Sequence, residues 1–135
     1  MANWYGMSRS NYFRVKDDDA FLAWAATLPG VETISDTEGR HGLLGDDEGH
    51  WPSWRYEETD DGEVEHEIDI IHELAEHLAD GEVAVLVCAG HEKSRYATGR
   101  SFAFDNTGEA VVVDINDVYD LAVAKFGVRP TAAEY

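Results

Sequence analysis

The sequence holds a single cysteine, Cys88, in 135 residues. An intramolecular disulfide and a multi-cysteine zinc site are thereby excluded. Lysine is nearly as scarce, present only as Lys16, Lys93 and Lys125, and ten Lys and Arg stand against 28 Asp and Glu. The formal net charge of −18 disfavours direct contact with nucleic acid or an anionic membrane, which carry the same sign. No apolar run approaches the roughly 18 residues of a membrane helix, and the opening MANWYGMSRSNYF has no apolar signal core. These absences predict a cytoplasmic protein. Catalytic motifs are missing too: there is no G-x-S-x-G elbow and no phosphate-cradling glycine loop. A calcium loop aligned on Gly62 would place Ile68 where its last acid belongs. Cys88 lies in an apolar run, where a thiol is inert packing.

What remains is a foldable but lopsided chain. A hydrophobic fraction of 44% with 11% aromatics argues against disorder, and the length suits one domain. Residues 1–16 carry a charge of +3, residues 17–82 carry −19, and residues 83–135 carry −2. The excess is concentrated in Glu57–Asp69 (EETDDGEVEHEID), which has eight acids in thirteen residues and no Lys or Arg. A solvated surface normally interleaves both signs; this stretch does not.

Periodicity predicts a strand over Asn11–Lys16, then a helix capped by Asp17 or Asp18 that buries Phe21, Trp24, Ala25 and Leu28 and stops at Pro29-Gly30. Val31–Ser35, Arg40–Leu44 and Trp51–Tyr56 read as strands, and Thr59–Gly62 as a turn. A long helix is expected over Glu65–Ala79, with Ile68, Ile71, Leu74, Ala75 and Leu78 on one arc. Val83–Ala89 reads as a strand buried on both faces. Tyr96–Phe104 and Ala110–Ile115 form a hairpin about Asp105–Gly108, and a last helix from Asn116 to Gly127 buries Val118, Leu121 and Ala122. The expectation is one α+β domain over 1–127, a mostly antiparallel sheet with about three helices, and a flexible tail over 128–135.

On the expected middle helix, Glu65, Asp69, Glu73, Glu76 and Asp80 share an arc of about 80° and make a carboxylate stripe roughly 22 Å long. Like charges at i,i+4 are mildly destabilising, and no lysine relieves them, so a partner or a merely solvated face must account for them. His66, His72 and His77 flank the stripe. His72 and His77 are five apart, about 140° around a helix, so they cannot chelate as the zincin pair does. His72 with Glu76, or Glu73 with His77, could each offer two ligands to a divalent ion. Solvated histidines whose acidic neighbours favour the charged form are the simpler expectation.

Residues 36–82 carry fifteen excess negative charges, equal to the phosphates on roughly 25 Å of duplex. Such a surface fits the cationic groove of a nucleic-acid-binding protein, with steered, salt-sensitive association. The expected contact set is Glu57, Glu58, Asp60, Asp61, Glu63, Glu65, Asp69, Glu73, Glu76 and Asp80, with Trp51 and Trp54, and Tyr56 beside them, as aromatic anchors, core packing being an equal expectation for at least two of these three. Trp4, Tyr5, Tyr12 and Phe13, interleaved with Arg9, Arg14 and Lys16, read as an N-terminal strand and core aromatics rather than a single-strand binding platform.

Three segments, Asn3–Asp17 (NWYGMSRSNYFRVKD), His77–Leu86 (HLADGEVAVL) and Asp114–Ala122 (DINDVYDLA), resemble a family of small acidic accessory proteins of phages and conjugative elements. The resemblance implies a mobile-element setting, where accessory genes counter host restriction or CRISPR machinery, some of them by mimicking DNA. It carries over no site residues. The combined expectation is a non-enzymatic, cofactor-free inhibitor that binds a basic nucleic-acid-binding protein of the host. Two alternatives stand beside it, a salt-adapted soluble domain and a divalent-metal-dependent enzyme.

Overall fold

The computed structural model describes residues 4–93 and 95–133. The order is β1 (Trp4–Ser10), α1 (Asp18–Ala25), β2 (Glu32–Ser35), β3 (His41–Leu44), β4 (Trp54–Thr59), β5 (Gly62–Glu67), α2 (Ile70–Ala75), β6 (Ala84–Glu92), β7 (Tyr96–Phe104), β8 (Ala110–Asp114) and α3 (Asp117–Phe126). Six strands form an antiparallel sheet in the order β2-β3-β1-β6-β7-β8, while β4 and β5 pair only with each other. The protein is an α+β domain.

One face of the six-stranded sheet makes the core. Ala84, Leu86 and Phe104 point to this side and meet Phe13, Phe21, Leu43, Leu74 and Leu78. The rings of Phe13 and Phe21 lie edge to face at 5.7 Å, an arrangement favoured by the ring quadrupoles. Ser10 is buried but satisfied, its Oγ accepting from Leu43 N at 2.8 Å and donating to Asn11 O at 2.7 Å. Helix α1 starts as its sequence predicts, with the Asp17 carboxylate accepting from Ala20 N at 3.0 Å. The β7–β8 turn is closed by Asp105, which accepts from the backbone and hydroxyl of Thr107.

Four expectations are corrected. The first strand is Trp4–Ser10, not Asn11–Lys16, which makes single bridges instead of a ladder, Phe13–His41 to β3 and Val15–Leu78 to the segment after α2. Asn11 ends the strand by side-chain mimicry, donating to Val83 O and accepting from Val85 N. The 65–79 helix divides into strand β5 and the six-residue α2. The alternation Glu63-Val64-Glu65-His66-Glu67 has the period of a strand, and β4 supplies its backbone partners. Strand β6 is buried on one face only, because α1 and α2 both pack on that same core side. Finally, α3 buries none of its residues; Val118 and Leu121 are exposed. Beyond α3, Arg129 pairs with Asp120 at 2.5 Å and Ala133 N donates to Tyr119 Oη at 2.7 Å; the end of the expected tail, 134–135, lies outside the described residues. No helix among the described residues is long and apolar enough to cross a membrane.

Candidate functional site

The acid-dense segment is a hairpin. Asp60 and Asp61 form its two-residue turn, and Gly62 takes a φ of 114°, a conformation open to glycine alone at low cost. Thr59 Oγ1 donates to Gly62 O at 2.7 Å across the turn. At the base, Ile68 N donates to Ser53 O at 2.8 Å.

Register sorts the side chains. Directly opposed residues share a face, and the pairs are Trp54 with Glu67, Tyr56 with Glu65, and Glu58 with Glu63. One face therefore carries four glutamates and two exposed aromatics without a single Lys or Arg. The other carries Arg55, Glu57, Val64 and His66. There the polar side chains have partners: His66 Nε2 lies 2.9 Å from Glu57 Oε2, and Arg55 bonds Glu73 of α2. At about 3.3 Å per residue, the strands run about 20 Å. Over that length one strand of a duplex presents about six phosphates, and the hairpin presents Glu57, Glu58, Asp60, Asp61, Glu63, Glu65 and Glu67.

The rest of the expected stripe is dispersed. Asp69 is the N-cap of α2, accepting from His72 N at 3.2 Å. Glu73 turns inward, where its Oε1 accepts from Trp24 Nε1 at 2.9 Å and from Arg55, and its Oε2 accepts from Asp69 N at 3.1 Å. Partial burial opposes its ionisation, but the bonds from Trp24 and Arg55 outweigh that and hold its carboxyl below the usual range. Glu76 is exposed, 3.5 Å from His72 Nε2. Asp80 accepts from Asn106 Nδ2 at 2.8 Å. Helical spacing cannot unite these groups because only Ile70–Ala75 is α-helical.

The histidines and tryptophans also part company. His77 stacks on Trp24 at 5.1 Å and meets the edge of Phe21. Burial there lowers its pKa, the reverse of the expected charged, solvated state. Glu73 is committed to Arg55 and Trp24, so Glu73 and His77 make no joint metal site. Among the described residues no three His, Cys, Asp or Glu side chains converge on a metal position. Trp51 packs against the core cluster and is not a surface anchor, whereas Trp54 and Tyr56 are exposed on the acidic face. Glu67 is missing from the expected contact set, although period-two spacing from Glu63 and Glu65 places it there. No protein-family model, no curated protein and no solved structure matches this chain.

Proposed function

We propose that the protein is a binding module that places the acidic face of the β4–β5 hairpin in the cationic groove of a nucleic-acid-binding protein, imitating a phosphate backbone. It acts by occupancy, without turnover. The observation that carries this reading is the face bearing Glu58, Glu63, Glu65 and Glu67 around Trp54 and Tyr56, with no cation to compensate it. Opposed like charges weaken a hairpin, and a cationic partner turns that repulsion into affinity. Exposed Trp and Tyr supply rigid apolar contact beside the charge. The resemblance to accessory proteins of phages and conjugative elements supports a host restriction or CRISPR complex in the cytoplasm as the target class.

The test is capture from host lysate at 50 mM and 500 mM salt, with wild type and a variant carrying Glu58→Gln, Glu63→Gln, Glu65→Gln and Glu67→Gln. The expected result is a basic nucleic-acid-binding protein retained by wild type at low salt, released at high salt and not retained by the variant. Equal capture by both proteins overturns the reading. The exposed acids outside the hairpin, at Asp17–Asp19 and Asp46–Glu48, favour salt adaptation as a second reading. Strong thermal stabilisation by molar KCl, with no partner captured, selects it.

A further inference from the structure

Among the described residues, no helix lies on the sheet face opposite the core. Val85 and Val87 of β6 share this face with Tyr5 and Met7 of β1 and Val111 and Val113 of β8. In a chain of net charge −18, β1, β6, β7 and β8 place no Asp or Glu on it. The same chain has a helix without a sheet. Helix α3 carries Val118, Leu121, Ala122 and Phe126 on one arc, and Leu121 is 66% and Phe126 71% exposed. The two features are continuous: Ile115, between β8 and α3, donates its N–H to Gly99 O at 2.9 Å and sits over that residue on the open face.

Strand β8 adds a third element. It is the last strand of the sheet, so one row of its peptide groups has no strand partner. Its sequence, Ala-Val-Val-Val-Asp, has no proline, lysine or bulge to blunt the edge. Val111 is 68% and Val113 61% exposed.

We infer that a second copy of this chain covers this surface, with β8 pairing antiparallel to its counterpart about a two-fold axis and each α3 packing against the joined sheet. A self-complementary strand centred on Val112 meets itself in such an isologous contact. A sheet lacking a helix and a helix lacking a sheet in one sequence are complementary surfaces, which two copies supply to each other. The area suffices. A standard interface buries about 800 Å² per partner, about 65% of it apolar in homodimers, or about 500 Å². A Val or Leu side chain offers about 60–120 Å² when fully exposed, so the half- to two-thirds-exposed apolar residues of this face and of 111–128 together offer about 600 Å². Charge permits the contact as well: residues 83–135 carry only −2, so the like charges of the two copies lie mainly in other segments.

Sedimentation velocity of the full chain from 5 to 200 µM tests this, alongside two double variants, Val111→Lys with Val113→Lys and Leu121→Glu with Phe126→Glu. The expected mass is about 30 kDa, twice the 15.0 kDa of the chain. Each double variant is expected to weaken dimerisation at least 100-fold while keeping the wild-type circular dichroism, since these side chains contribute little to their own core. The variant pairs lie on different elements, so a folding failure in one leaves the other informative. A wild type that stays at 15 kDa at 200 µM, or a dimer that survives both double variants, overturns the inference.

Discussion

Glu58 and Glu63 stand directly opposite each other across the β4–β5 hairpin, on the face that also bears Glu65 and Glu67. Two carboxylates in that relation repel, and no Lys or Arg shares their face. The hairpin thus keeps a local electrostatic cost at the place where the proposed partner contact lies.

Reversing one of these charges is expected to trade function for stability. Glu63→Lys replaces a repulsive cross-strand pair with an attractive one, worth about 0.2–1 kcal/mol. Thermal melts at low salt should show a higher Tm than wild type, with the gain shrinking in 1 M NaCl. Capture of the basic partner should fall in the same variant. A lower Tm at low salt contradicts the electrostatic account.

Glu73 fastens the hairpin and α1 to α2 through Arg55 and Trp24. Glu73→Ala strands both donors in a half-buried setting and is expected to cost about 1–3 kcal/mol in urea unfolding. Because its folded pKa is lowered, the ionised form's contribution is complete above the unfolded value near 4.5. It disappears as pH falls through the folded value. Glu73→Gln should flatten that acid limb, and unfolding midpoints from pH 3 to 7 read the difference.

His77 works in the opposite chemical sense but with the same sign. Burial against Trp24 and Phe21 lowers its pKa, so the unfolded chain takes up the proton first as pH falls below about 6.5. Stability from neutral His77 is complete above that value and is lost on acidification through the lower folded pKa. NMR titration should find the His77 ring titrating below an ordinary histidine. His77→Phe should keep the stack and remove this part of the pH dependence.

Cys88 is half-buried on β6, and burial raises its thiol pKa. Native protein at pH 7.5 is expected to react with iodoacetamide at least tenfold more slowly than urea-unfolded chain, because the thiolate is the nucleophile. Mass spectrometry over time measures both rates. Equal rates would show an accessible thiol that burial does not perturb, against this account.

Local chemistry made much of this fold legible from the sequence. The Asp17 cap, the apolar spacing of Phe21 and Ala25, the Asp105–Gly108 turn and the run into Gly127 each act within a few residues, and the elements they mark are present. The middle segment was harder because its cues conflict. Ile68, Ile71, Leu74, Ala75 and Leu78 have helical spacing, yet the first of them follows a strand and the last follows the end of α2. What decided the matter was pairing with Trp54–Thr59, a contact between separate stretches that periodicity within one stretch does not encode. The same limit applies to α3, whose amphipathic spacing is real but whose apolar face has no sheet beneath it in its own chain.

Composition and local pattern determined that this protein is acidic, foldable, without an intramolecular disulfide, α+β, and most negative between residues 17 and 82. Those properties depend on residue identity and near neighbours. Tertiary structure alone decided that the carboxylates divide between a hairpin face, a helix cap and an inward ion pair. It also decided that His77 is packed against Trp24 and that one sheet face and one helix are left uncovered. These outcomes depend on strand register and on which elements share a layer, and both are set by contacts between distant parts of the chain.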